Sequence, residues 1–194
     1  GPDVTNVAIG ARVAYSSGGH ALPRGSYCEQ RTMNAERLVK LPDDITDETA
    51  AAMITKGLTA QYLIHDSHPV NEQDAILVHS AAGGVGMIIA QWARSFGAHV
   101  IGVVSSDEKA AFATEHGCHD VIISTKEDIA VRAKALTGTD GVSAVFDAVG
   151  ADTFEASLAA LRPLGRLVAY GSSSGPVPPF DIFRLNEMGS LSIT

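Results

Sequence analysis

A glycine-rich turn between a short apolar run and an amphipathic segment constrains the fold of this chain most strongly. Residues 75–79 predict a buried strand, and residues 85–96 have the periodicity of a helix that ends at Gly97. The backbone of such a turn can approach a pyrophosphate, and the free N–H groups of the new helix then face it. The order of strand, turn and helix therefore predicts a dinucleotide-binding unit. The residues of the turn that are predicted to contact the dinucleotide are Ala82, Gly83, Gly84, Val85 and Gly86.

The alternation of strand-like and helix-like segments continues towards the end of the chain. Further strands are predicted at 100–104, 121–123, 142–149 and 166–170. Helices are predicted at 107–116, 126–136 and 153–161. This pattern indicates an α/β fold with a doubly wound parallel sheet of the Rossmann type, which binds its ligand at the carboxyl ends of the strands. Residues at the ends of the last two predicted strands are expected to contact the nicotinamide half of the cofactor. They are Val149, Tyr170, Gly171, Ser172 and Ser173.

The first part of the chain has a different pattern. Residues 11–15 and 27–31 alternate like strands around a turn at 16–19, and Thr46 suits a helix start. We therefore expect part of an antiparallel β domain that begins before Gly1, and a final strand at 190–194 that is cut short. The predicted division is 1–55 for the β part and 56–194 for the Rossmann domain, and the chain is expected to be a fragment.

Composition narrows the class of partner. The chain has 194 residues, a formal net charge of −8 and 45% hydrophobic residues. An acidic balance disfavours a general nucleic-acid or anionic-membrane surface, and no apolar run is long enough to span a bilayer. Two cysteines, Cys28 and Cys118, are too few for a disulfide framework. A reduced, cytoplasmic protein is expected.

The predicted second strand of the Rossmann unit ends in serine rather than in an acidic residue. Ser105 and Ser106 lie where an NAD-selecting protein places the Asp or Glu that holds the ribose 2′-hydroxyl. A serine can donate to a 2′-phosphate, and Lys109 adds a positive charge one helical turn later. This pattern favours NADPH over NADH. The alternatives are that Asp107 turns towards the ribose and reverses the preference, or that Lys109 is a solvated helix residue.

Several motifs together resemble one family. They are KGLTA at 56–60, AAGGVG at 81–86, QWA at 91–93, VTNV at 4–7, GARV at 10–13, LVKLP at 38–42 and NEMGSL at 186–191. The chain resembles the quinone oxidoreductase (zeta-crystallin-like) branch of the medium-chain dehydrogenase/reductase superfamily. The resemblance implies a GroES-like domain before the Rossmann domain, NADPH as cofactor, reduction of quinones without metal, and a homodimer or homotetramer.

The resemblance also assigns two individual residues. Thr59 matches the threonine of the family's interdomain cleft, where it would act on the nicotinamide or on a quinone oxygen; its alternative is a helix hydroxyl bonded to its own helix. Ser124 stands where the family often has an aromatic residue or a histidine near the adenosine phosphate.

Metal and hydrolytic sites are not expected. The stretch 53–59 lacks the zinc-ligand cysteine of the alcohol dehydrogenases, and the cluster at 116–119 is interpreted as a helix end rather than a metal site. No Ser-His-Asp arrangement can be inferred either, because no serine lies in a nucleophile-elbow pattern.

The combined prediction is a zinc-independent, NADPH-dependent quinone reductase whose partner is a quinone or another small electrophile. An enone reductase with the same hydride chemistry is the alternative within enzymes. An NADPH-binding, crystallin-like structural or regulatory protein is the alternative outside them.

Overall fold

The computed structural model describes residues 1–16, 26–138 and 140–194. These residues form two units, Gly1–Thr59 and Ala60–Thr194. The predicted turn at 16–19 lies largely outside the described residues. The identity of the first unit as a GroES-like domain stays a prediction. No helix of the described residues is long and apolar enough to cross a membrane.

The first unit contains little regular β structure. Strand β1 (Val13–Ala14) pairs antiparallel with β2 (Val39–Lys40), and a short 3-10 turn spans Ala35–Arg37. Helix α1 (Asp47–Tyr62) begins where predicted, because the Thr46 hydroxyl accepts the Thr49 N–H at 3.1 Å.

The strand predicted at 27–31 is wrong. Those residues form bends and extended loop, and Tyr27 is fully exposed. Alternation alone does not make a strand, because a strand also needs a neighbour for its backbone groups. Instead, the guanidinium of Arg31 lies 5.2 Å from the ring centre of Tyr15.

The second unit is built on one parallel sheet of six strands, which confirms the predicted α/β fold. The strands are β3 (Ala75–His79), β4 (His99–Val104), β5 (Asp120–Ile123), β6 (Val142–Asp147), β7 (Leu161–Ala169) and β8 (Ser192–Ile193). Their order across the sheet is β5-β4-β3-β6-β7-β8. The chain therefore winds in one direction from β3 to β5 and in the other from β6 to β8. The point where the direction changes lies between β3 and β6, and this is where such sheets bind ligands.

Helices cover both faces of the sheet. They are α2 (Gly84–Ser95), α3 (Asp107–Glu115), α4 (Ile129–Thr137), α5 (Phe154–Ala160) and α6 (Phe183–Glu187). Successive strand residues alternate between two cores: Ile76 and Val78 pack with α2, whereas Leu77 packs on the face covered by α4 and α5.

Three predicted boundaries are wrong for identifiable reasons. Helix α4 begins at Ile129 rather than at 126, because the Asp128 carboxylate accepts the Val131 N–H at 2.9 Å and caps the helix. Strand β6 ends at Asp147 rather than at 149, because the Asp147 carboxylate accepts hydrogen bonds from the N–H groups of Val149 and Gly150. Strand β7 begins at Leu161, which pairs with Val142 before the register shifts.

Candidate functional site

A cavity of about 530 Å³ opens at the carboxyl ends of the central strands. Its lining residues come from the end of β3 and the turn after it, from the end of β4 and the start of α3, from the loop after β5 and the first residue of α4, and from the segment between β6 and α5. They are His79, Ser80, Ala82, Gly83, Val103, Val104, Ser105, Lys109, Ser124, Ile129, Val149, Asp152 and Thr153. Six of them were predicted as cofactor contacts: Ala82, Gly83, Ser105, Lys109, Ser124 and Val149. The assignment of these residues as contacts stays a prediction.

The glycine turn has the geometry that the sequence analysis anticipated. The Ser80 carbonyl accepts the Gly83 N–H at 2.7 Å, and Ser80 adopts a positive φ of 52°. Helix α2 begins at Gly84, with no side chain capping its first turn and no acidic residue within it. A Cβ atom at Gly86 would overlap the Ser80 carbonyl oxygen, so only glycine allows this close approach. The free N–H groups of this turn are available to an anion.

The residues at the end of β4 add a polar group to the lining of the cavity. The Lys109 ammonium donates to the Ser105 hydroxyl at 3.2 Å, and the Ser106 hydroxyl accepts the Lys109 N–H at the start of α3. Ser106 therefore caps a helix, while Ser105 and Lys109 line the cavity.

Asp107 does not turn towards this polar group. Both of its carboxylate oxygens accept from the Lys126 ammonium, at 2.8 and 2.6 Å. The hydrogen bond and charge of Lys126 lower the pKa of Asp107. The alternative in which Asp107 holds the ribose is thus not the arrangement in this structure. Lys126 was expected only as the start of a helix, and its ion pair with Asp107 was not predicted.

Hydrogen bonds join the loop after β5 to the end of β4. The Ser124 hydroxyl and N–H both donate to the Val104 carbonyl, at 3.2 and 2.9 Å, and the Thr125 hydroxyl donates to the Ser105 carbonyl at 3.2 Å. This brings Ser124 to the same end of the cavity as Lys109.

The segment after β7 packs against the turn after β6. The Ser174 hydroxyl donates to the Val149 carbonyl at 2.8 Å, and the Ser173 N–H donates to the Ala148 carbonyl at 3.3 Å. A Cβ at Gly171 would lie 2.6 Å from the Ala148 carbonyl oxygen, so this contact requires glycine. Burial raises the pKa of Tyr170, which keeps its phenol neutral.

The remaining predicted contacts are not among the lining residues of the cavity. They are Gly84, Val85, Gly86, Ser106, Tyr170, Gly171, Ser172 and Ser173. Gly84, Val85 and Gly86 belong to the opening turn of α2. Residues 170–173 follow β7 and belong to the segment that packs against the turn after β6.

A buried polar network that the sequence analysis did not find lies beneath the cavity. Asp147 accepts from the Val149 N–H at 2.7 Å, from the Thr153 hydroxyl at 2.8 Å and from the Ser157 hydroxyl at 2.7 Å. Since the Ser157 proton goes to Asp147, the Ser157 oxygen accepts from His79 Nε2 at 2.9 Å. The network therefore connects the ends of β3 and β6 with α5.

No Ser-His-Asp arrangement could be inferred from the sequence, but the structure brings side chains of these three types together. They are His79, Ser157 and Asp147, with exposed fractions of 1%, 0% and 2%. Ser157 is fully enclosed and donates to the acid, so no substrate can reach its oxygen. The three residues fix the two turns of the cavity rather than form a nucleophilic site. A signal existed in the sequence: two apolar strands end in polar residues, His79 and Asp147.

Burial shifts the titration of both charged members of the network. Desolvation lowers the pKa of His79, with the Asp147 charge opposing the shift, so the imidazole stays neutral. Burial alone would raise the pKa of Asp147, but His79 and the donors from Ser157, Val149 and Thr153 lower it on balance.

Thr59 lies in α1, in the first unit. Its hydroxyl donates to the Thr55 carbonyl at 2.8 Å, which is the helix-bonded alternative stated above. Its predicted catalytic role stays a prediction.

The described residues include no group of three or more His, Cys, Asp or Glu side chains that could hold a metal ion. At the 116–119 cluster, α3 ends at Glu115 and Gly117 adopts a positive φ of 112°, as a helix end requires. Burial raises the pKa of the Cys118 thiol to about 11. These residues do not fit a zinc site.

Comparison with known families identifies the chain. The family described as zinc-binding dehydrogenase matches residues 84–194, from the start of α2 to the last residue. The chain belongs to this family. Residues 84–194 include every strand of the parallel sheet except β3.

Curated relatives are similar over the whole chain. The quinone oxidoreductase of Pseudomonas aeruginosa is 43% identical over 194 residues, covering 100% of this chain and 58% of the relative. The 2-haloacrylate reductase of a Burkholderia species is also 43% identical, over 197 residues, with the same coverage. The resemblance to quinone oxidoreductases is thereby confirmed. The chain spans about 58% of the length of these relatives.

Solved structures have the same fold. The quinone oxidoreductase of Pseudomonas syringae pv. tomato superimposes with a TM-score of 0.94 at 42% identity, covering 100% of this chain and 58% of that one. The Escherichia coli quinone oxidoreductase complexed with NADPH gives a TM-score of 0.92 at 39% identity, covering 98% and 57%.

The buried histidine predicts a pH dependence of stability. Because the folded pKa of His79 is lowered, the unfolded chain takes up the proton first as the pH falls below 6.5. The contribution of His79 is therefore complete above pH 6.5 and is lost below it. We expect His79→Gln, which keeps an N–H donor for Ser157, to flatten the fall of the unfolding free energy between about pH 7 and pH 5.

Urea unfolding at several pH values measures this effect. His68 and His119 also have lowered pKa values, so the informative quantity is the difference in slope between wild type and variant. Equal slopes in the two proteins would show that His79 is not neutral and buried in solution.

Proposed function

We propose that this chain contains the cofactor-binding domain of an NADPH-dependent quinone reductase. The observation that supports this most directly is the cavity, because the glycine turn and the Ser105–Lys109 pair both line it. The relatives named quinone oxidoreductase, and the one solved with NADPH, support the same assignment.

The residues present fit this cofactor. No side chain caps the start of α2, so its backbone N–H groups would face the pyrophosphate, and the N-terminus of the helix attracts the phosphate charge. The Lys109 ammonium and Ser105 hydroxyl provide a cation and a donor for a 2′-phosphate. Val149 and the segment 170–173 lie near the point between β3 and β6 where the strand order changes direction. They would face the nicotinamide half of NADPH.

NADPH, when bound, supplies the hydride that reduces the quinone. The chain itself orients the cofactor. The Asp147 network holds the Val149 turn, and the Ser80–Gly83 bond holds the phosphate turn, so both turns are fixed before binding. Thr59 remains the proposed residue for the reacting end.

Further features of the proposed enzyme follow from the same family assignment. We propose that it works without zinc, because the stretch 53–59 lacks the zinc-ligand cysteine of the alcohol dehydrogenases. A cytoplasmic location and a homodimer or homotetramer are also proposed. Strand β8 lies at the edge of the sheet, where a second copy could add a strand.

Reduction of an activated alkene is the second candidate. The 2-haloacrylate reductase is as similar to this chain as the Pseudomonas aeruginosa quinone oxidoreductase is, at 43% identity. Both reactions use the same cofactor position, so the described cavity does not separate them.

One prediction of the proposed function concerns the cofactor. We expect Lys109→Met to weaken NADPH binding about tenfold, the scale of one charge-assisted hydrogen bond, and to leave NADH binding nearly unchanged. Lys134→Met, on the exposed side of α4, is a control of equal charge change. Fluorescence titration of the intact protein measures both affinities. An equal loss for NADPH and NADH would contradict the assigned 2′-phosphate contact.

Another prediction of the proposed function concerns the substrate. We expect the intact protein to oxidise NADPH with 1,4-benzoquinone faster than with 2-chloroacrylate or an enone, measured as the loss of nicotinamide absorbance. Faster turnover with the acrylate or enone would favour the second candidate. Tight NADPH binding with no turnover on any of them would favour a binding protein instead.

A further inference from the structure

The ion pair between Lys126 and Asp107 lies next to the part of the cavity that would take the 2′-phosphate. Asp107 begins α3 directly after Ser105 and Ser106, and Thr125, the neighbour of Lys126, is bonded to the Ser105 carbonyl. Neither member of the pair lines the cavity. Each of them nevertheless follows closely on a strand that ends here, Asp107 after β4 and Lys126 after β5.

An unpaired carboxylate at this place would oppose the proposed cofactor. It would repel a phosphate dianion, and it could instead accept hydrogen bonds from the two ribose hydroxyls of NADH. In the structure the Lys126 ammonium bridges both carboxylate oxygens of Asp107, at 2.6 and 2.8 Å. The pair is a poor source of stability, because the side chains are 55% and 76% exposed.

We infer that Lys126 sets the preference for NADPH by holding and neutralising the Asp107 carboxylate, not by touching the phosphate. Lys126 is thus a positioning residue for cofactor specificity. This inference rests on the proposed function, and it assigns a second cation to the specificity in addition to Lys109. It also gives Asp107 a role, as the group that would favour NADH when released.

The test is a double-variant cycle in the intact protein, with NADPH and NADH affinities measured by fluorescence titration. Lys126→Met should lower the NADPH-to-NADH affinity ratio about fivefold, the upper range for exposed charge pairs. Asp107→Asn in the Lys126→Met background should restore the ratio, since no carboxylate remains to be released. The loss should also shrink as salt is raised, because these charges are exposed.

A matched control removes a comparable ion pair elsewhere. Arg184 on α6 contacts Glu155 at 2.6 Å, so Arg184→Met breaks a pair of equal length away from the cavity lining. It should leave the ratio unchanged.

Two results would overturn the inference. One is a ratio that Lys126→Met leaves unchanged. The other is a lowered ratio that Asp107→Asn fails to restore, which would mean that Lys126 binds the phosphate directly. A wild-type protein that binds neither nucleotide would instead contradict the proposed function, so the two failures are distinguishable.

Discussion

The Asp147 carboxylate takes backbone N–H groups from Val149 and Gly150 and hydroxyl donors from Thr153 and Ser157. Leaving such a buried group without its partners costs about 1–3 kcal/mol for each lost bond, so the arrangement is strongly fixed. The bonds end β6, shape the Val149 turn and attach α5. Through Ser157 they also reach His79, the last residue of β3. The two central strands thus end in one shared polar network at the place where the direction of winding changes.

The proposed site next to this network would recognise anions in two ways. At the start of α2, recognition would come from backbone N–H groups and would not depend on side-chain charge. At the end of β4 it would come from side chains, with Lys109 lining the cavity and Lys126 paired with Asp107. The first would hold the pyrophosphate that NADH and NADPH share. The second would distinguish them, so affinity and specificity would reside in different elements of the fold.

The sequence predicts those features that depend on neighbours in the chain. Strand β3, the glycine turn and α2 were found because their pattern is local, and Ser105 and Lys109 were found from their spacing. The Asp147 network was missed because His79 and Ser157 are 78 positions apart, and the Lys126–Asp107 pair because it spans 19 positions. The strand expected at 27–31 was wrong, because residues 27–31 pair with no strand among the described residues. The start of α4 was predicted at 126 rather than at Ile129, because the capping role of Asp128 was not recognised.

We propose that NADPH occupies this cavity with its 2′-phosphate at the end of β4. A crystal structure of the intact protein with NADPH would show its position. We expect the pyrophosphate against the N-terminus of α2 and the 2′-phosphate within hydrogen-bond distance of Ser105 and Lys109, with Lys126 still paired to Asp107. A 2′-phosphate that points away from Lys109, or a cofactor bound outside the cavity, would contradict it.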